Sequence, residues 1–157
     1  MTLRTQFENE LTRLAAGGAA TLDLLEGGRR LTCDLLEHNS LAVAFHSLRL
    51  ATTELAHAQA VDLERMSKAL ADRLTYLLEP IRPIEIDADA CVVQMRSSPP
   101  LHDDDGRSYY ELTVRRGGEL SLCRYRKEPG TPRQQIPANV TREVLVRLAG
   151  DFEVVLG

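Results

Sequence analysis

The chain has 157 residues, 43% of them hydrophobic and 27% charged, with a formal net charge of -4. A chain of this size and balance folds as one domain, taken here as residues 1–157, with enough apolar surface for a core, and long disorder is excluded. The acidic balance argues against nucleic acid as the main partner, because phosphate binding needs a basic surface; no run of 18 apolar residues offers a membrane span.

Tryptophan is absent and aromatic residues make up only 4%, so the core must be aliphatic. Met1 to Glu10 mixes Arg4 with Glu8 and Glu10 and lacks the basic-then-apolar layout of a signal peptide. Cys33, Cys91 and Cys123 lie far apart at apolar positions and read as reduced, buried thiols. A cytoplasmic location is the expectation.

Leu3, Phe7, Leu11 and Leu14 recur at helical spacing, so residues 2–16 are predicted helical, ended by Gly17-Gly18. A three-strand meander is predicted next. Glu26-Gly27-Gly28-Arg29 suits a two-residue hairpin loop, which pairs Leu24 with Leu31 and Leu22 with Cys33. For the second turn, a three-residue loop at His38-Asn39-Ser40 pairs Leu35 with Val43 and Cys33 with Phe45. This register gathers Leu22, Leu24, Leu31, Cys33, Leu35, Leu41, Val43 and Phe45 on one core face.

Residues 53–78 have the clearest helical pattern. Thr52 or Thr53 can cap it, Glu64 and Lys68 form an i,i+4 pair, and Pro80 stops it. Ile84 to Arg96 alternates as a strand, 97–108 is a polar loop, and 109–127 is a hairpin around Gly117-Gly118. Pro129 to Pro137 form an extended connector. Asn139 is the predicted cap of a last helix carrying Val144, Leu148 and Phe152. The fold class is α+β, in the order α-βββ-α-βββ-α with antiparallel pairing.

No catalytic constellation is legible, and no metal or cofactor motif. His102-Asp103-Asp104-Asp105-Gly106 fails the calcium-loop frame at two ligand positions and reads as a turn. His38, His46, His57 and His102 form no HxH or HxxxH pair, and Cys33 and His46 fall on opposite sheet faces. The diglycines lack the third glycine of a nucleotide fingerprint.

Two candidate surfaces emerge instead. Counting back from Gly117-Gly118 pairs Leu112 with Cys123 and Tyr110 with Tyr125, which leaves Tyr109, Glu111 and Arg115 facing Leu120, Leu122, Arg124 and Arg126. Apolar residues rimmed by Arg and Tyr have the composition of a partner surface, unless a helix covers that face. In the central helix, Ala56, Ala60, Leu63 and Leu70 lie on a four-three seam that suits either the core or a two-fold dimer. The segment 107–133 carries a local excess of about four positive charges, centred on Arg124, Arg126 and Lys127, which gives an alternative reading as a nucleic-acid or anion binder.

The helix with Leu3, Phe7, Leu11 and Leu14, the meander Leu22–Phe45 and the helix 53–78 follow one another in an order that resembles the class I type III secretion chaperones. That resemblance is one of topology and size. It implies a small acidic bacterial protein, non-enzymatic, homodimeric, that binds an extended segment of another polypeptide. The long loop 97–108 and the proline-rich connector depart from the pattern.

Overall fold

The computed structural model describes residues 1–14 and 16–157. Helix α1 (Leu3–Arg13) starts where Thr2 Oγ1 accepts the Thr5 N–H at 3.1 Å, and it buries Leu3, Phe7 and Leu11. It is shorter than the predicted 2–16, since Leu14 is already extended; Ala15, in the predicted last turn, lies outside the described residues.

Strands β1 (Ala20–Glu26), β2 (Arg29–His38) and β3 (Ala42–Thr52) form the meander. The first turn has the predicted register, Leu22 opposite Cys33 and Leu24 opposite Leu31. The second differs. Leu35 lies opposite Phe45 and Cys33 opposite Leu48, with irregularities on either side of Leu35. Asn39 Oδ1 accepts the N–H groups of Leu41 and Ala42 at 2.8 and 2.9 Å, which fixes a longer turn. The bulges absorb the offset, so Leu22, Leu31, Cys33, Leu35, Val43 and Phe45 still share the core, while Leu41 is 77% exposed.

The predicted helix 53–78 is broken in two. Thr52 Oγ1 accepts the Glu54 N–H at 3.1 Å and begins a separate 3-10 turn, Thr53–Leu55. Helix α2 (Ala60–Arg73) begins afresh where Asp62 Oδ2 accepts the Gln59 N–H at 3.0 Å. After Arg73 the chain leaves the helix to bury Leu74 and Leu77.

The second strand set is larger than predicted. The expected strand Ile84–Arg96 is a hairpin, β4 (Ile81–Asp87) and β5 (Val92–Ser97), reversed where Asp87 Oδ1 accepts the N–H groups of Asp89 and Ala90. The loop 97–108 holds β6 (Leu101–His102). Strands β7 (Arg107–Arg115) and β8 (Glu119–Lys127) form the long hairpin, and the proline connector contains β9 (Gln134–Ile136). Asn139 lies within β10 (Ala138–Thr141). The cap of α3 (Arg142–Leu156) is Thr141, whose Oγ1 accepts the Val144 N–H at 3.1 Å.

The fold is thus α+β with an antiparallel sheet in the order β1-β2-β3-β8-β7-β5-β4. One core joins the inner face of the sheet to Leu3, Phe7 and Leu11 of α1, Leu63 and Leu70 of α2, and Leu145, Leu148 and Phe152 of α3. The sheet is split near its middle. Strand β3 meets β8 only over Leu48–Ala51; beyond that β3 pairs with β10, and β8 pairs with β9. Pro137 turns the chain between the two short strands.

Candidate functional site

The 109–127 hairpin does not have the register that two-residue closure implies. Its turn holds three residues, Arg116, Gly117 and Gly118, and closes on the pair Arg115–Glu119. Both glycines have positive φ, at 95° and 111°, a conformation L side chains rarely adopt. The slip of one residue places Leu112 opposite Leu122, Val114 opposite Leu120, Tyr110 opposite Arg124 and Glu111 opposite Cys123.

Leu120 and Leu122 do share a sheet face with Arg124 and Arg126, as alternation requires. That face is the covered one. Leu120 and Leu122 are fully buried members of the core, so they offer no partner surface. Tyr109 and Arg115 belong to the opposite face. Tyr109 is buried there beneath the Arg96 guanidinium, 4.8 Å from its ring centre. The central helix is corrected in the same way. Leu63 and Leu70 are fully buried inside the chain, Ala60 is half-buried, and Ala56 lies outside α2 altogether, so these four residues do not form one exposed seam.

The basic residues of the alternative reading are engaged by other groups. Arg126 holds Asp103 through two nitrogens, at 2.6 and 2.9 Å, and Glu128 through a third. The Asp103 carboxyl is held far below the usual carboxylate range, first by Arg126 and then by the N–H groups of Asp105 and Gly106. The acidic loop is therefore a turn tied to β8. Lys127 turns its ammonium to the carbonyls of Glu128 and Thr131. On the outer face Glu111 is buried, accepting from Gln94 and from Arg133 Nη1 at 2.7 Å.

Arg124 marks the place where residues from distant parts of the chain converge. Its Nη2 lies 3.1 Å from Glu79 Oε2, with both side chains mostly buried. The other Glu79 oxygen accepts from Ser97 Oγ at 2.8 Å, and that hydroxyl in turn accepts the Tyr110 N–H at 2.8 Å. The guanidinium stacks on the Tyr110 ring at 4.5 Å. Burial pushes the Tyr110 phenol above its ordinary value, against the pull of Arg124. Ser97 is 3% exposed with its donor and acceptor both used, so it works as a strut between Glu79 and β7 rather than as a nucleophile.

Above this pair opens a cleft of about 690 Å3, within the range of ligand-binding pockets. It is lined by the segment Tyr76–Glu79, by Asn139–Thr141 of β10 with Val144 of α3, and by Leu101 of β6. The segment Tyr76–Glu79 is anchored where Tyr76 Oη donates to Asp151 at 2.6 Å while Arg147 lies over its ring. That anchorage leaves Leu78 at φ 67° and 96% exposed beside the cleft, with Leu101 59% exposed.

The β10 wall has an open edge. Arg142 donates its N–H to the Leu41 carbonyl at 2.9 Å. In an antiparallel ladder alternate residues point their peptide groups to opposite sides, so Val140 and Ala138 also face β3. Asn139 and Thr141 turn theirs away from it. Among the described residues β10 pairs with no strand but β3.

Comparison with family models, with curated proteins and with solved structures finds no match to this chain. The cleft must be read from its own chemistry. Of its lining, only Arg124 is a candidate site residue by sequence; Tyr110, Asn139 and Val144 read there as strand, cap and helix positions. Leu77-Leu78-Glu79-Pro80 reads as a helix end, and Asn139-Val140-Thr141 reads as a cap; an aliphatic pair next to a Glu-Pro stop was the one available signal. Among the described residues no helix is long and apolar enough to cross a membrane, and no cluster of three metal-ligating side chains occurs.

Proposed function

We propose that this protein is a non-enzymatic binding module that captures an extended segment of another polypeptide in the cleft beside β10. The observation that carries the reading is the unpaired edge of β10 bordering an apolar wall. A peptide strand added at such an edge gains main-chain hydrogen bonds, while alternate side chains enter pockets. Leu77, Leu78, Leu101, Val140 and Val144 supply the apolar surface. The chaperone-like character expected from the order of elements agrees with this mode of binding. Self-association of two copies is supported at a different place, the outer strand β4, where Ile84 and Ile86 are exposed on an unpaired edge.

Thr141 gives a direct test. Its φ of -73° is one proline adopts. Thr141→Pro removes the outward N–H and the cap to Val144; Thr141→Ala removes the cap alone. Against twelve-residue peptides selected by display on the wild type, Thr141→Ala is expected to bind as the wild type does and Thr141→Pro to lose binding at least about tenfold, the worth of a charge-free hydrogen bond in a desolvated site. Equal affinities for the two variants remove strand addition at β10. Nucleic-acid binding is the competing reading, and salt-dependent association with single-stranded RNA would favour it.

A further inference from the structure

We propose that the cleft takes its polypeptide segment as a strand parallel to β10, held by two aliphatic residues at alternate positions that both pack and hydrogen-bond. The inference rests on the reading of the cleft as a polypeptide site, and it names the direction and the residue pattern of the occupant.

The open edge of β10 is short and unequal at its two ends. Asn139 and Thr141 are exposed, line the cleft and turn their peptide groups away from β3. Asn139 offers both an N–H and a carbonyl. Thr141 offers an N–H alone, because it is the N-cap of α3 and the carbonyl of an N-cap residue accepts the first bond of its helix. Pro137, on the other side of Asn139, has no N–H.

The two directions of an added strand meet this edge differently. In an antiparallel pair the occupant residue opposite Asn139 exchanges both bonds with it. The residue opposite Thr141 then aims its N–H at a carbonyl already used, and the residue opposite Pro137 aims its carbonyl at a ring with no donor. In a parallel pair each occupant residue bonds to the two edge residues on either side of its own level. The residue level with Val140 donates to the Asn139 carbonyl and accepts from Thr141, and the residue level with Ala138 accepts from Asn139. Neither residue depends on the used carbonyl of Thr141 or on a donor from Pro137. Parallel ladders are slightly weaker per residue, a smaller effect than a buried donor with no acceptor. The same geometry fixes the side chains. Ala138 and Val140 lie opposite the buried Phe45 and Val43, so they belong to the covered face of the sheet. Residues level with them in an added strand point the same way, towards Leu77, Leu101 and Val144 of the cleft lining. The occupant is an extended segment with two aliphatic residues two positions apart, and a residue between them that faces away from the cleft. In an antiparallel strand the donors and the wall-facing side chains would instead belong to alternate residues.

The experiment uses the best binder among twelve-residue peptides selected by display on the full chain. Every change is made in the peptide, so the fold of the chain is not at stake. Alanine substitution along the peptide identifies the aliphatic anchors, and N-methylation of each residue in turn identifies the donors, both read by calorimetry. In parallel addition the two sets coincide. N-methylation of the C-terminal anchor should weaken binding about tenfold or more, and N-methylation of the residue between the anchors should leave it within about twofold. Amide exchange followed by NMR should slow at Asn139 and Thr141 when the peptide is bound. If the sensitive N–H belongs to the residue between the anchors, the occupant runs antiparallel; the proposal is overturned and the polypeptide site stands. If no N-methyl group matters, or if exchange at Asn139 and Thr141 is unchanged, strand addition at β10 falls and the proposal with it. No enriched peptide at all removes the polypeptide site itself. If the free chain sediments as an oligomer that Val144→Glu dissociates, the cleft is filled by a second copy, and the proposal is overturned.

Discussion

Gly118→Ala tests the way the two halves of the sheet are joined. Gly118 sits at φ 111°, and a Cβ placed on it would lie 2.3 Å from the Thr52 carbonyl oxygen and 3.3 Å from its carbon. Those are backbone atoms at the end of β3. They are held in place because the Thr52 N–H donates to the Gly118 carbonyl at 2.8 Å and because the Thr52 side chain starts the next turn. The overlap of about 1 Å relative to ordinary contact can be relieved only by opening that hydrogen bond. Backbone strain contributes about 1–3 kcal/mol, the forced displacement about 1–3, and the lost hydrogen bond about 1. The expected cost is about 3–7 kcal/mol, a large share of a stability of about 5–15.

Gly117 is the internal control. Its φ of 95° carries similar strain, but an added Cβ there meets nothing within 4 Å. For a chain of this length about 1 kcal/mol moves Tm by about 2–4 °C. Gly118→Ala should therefore lower Tm by about 4–16 °C more than Gly117→Ala does, the displacement and the lost hydrogen bond together costing about 2–4 kcal/mol, read by circular dichroism or calorimetry at one pH. Equal losses would show that the hairpin does not close against Thr52, and would refute the junction between β3 and β8 argued from this contact.

Leu122→Asp should cost at least ~4 kcal/mol, because it both empties a leucine site and buries a carboxylate among aliphatic side chains; a variant with unchanged urea midpoint would return Leu122 to the surface. The Asp103 carboxyl, depressed below its unfolded value by Arg126, favours the folded state at pH above the unfolded carboxylate range, and that contribution fades as pH falls towards the lower folded value. Its side-chain NMR shift should still read as ionised at pH 3, where exposed carboxylates have largely protonated, and Arg126→Ala should move its titration up towards the ordinary range but short of it, because the Asp105 and Gly106 N–H groups still donate to it. Burial raises the Cys33 thiol far above its normal range, so Cys33 should resist a thiolate-selective reagent until the protein is denatured, whatever the more exposed Cys123 does; labelling of native Cys33 would contradict the packing of β2 against the helices.

The alternation of Leu22, Leu31, Cys33 and Leu35 and the helical spacing of Leu3, Phe7 and Leu11 are local patterns. They set the α+β class, the first hairpin and the covered face of the meander, because period and turn chemistry belong to neighbouring residues. The hairpin of β7 and β8 shows where such reasoning stops. Two glycines in a row suit a two-residue or a three-residue turn equally well, and the choice between them reverses which face of β8 is buried. It is made by Thr52, more than sixty residues earlier in the chain, which leaves room at Gly118 for no side chain. The same holds for the break in the central helix and for the cleft. Leu77 leaves helical geometry because the core has a place for it, and Glu79 meets Arg124 only after the split in the sheet has brought the ends of β8 and β10 to one wall. Sequence spacing carries no information about contacts between segments that far apart, so the site was decided by tertiary packing alone.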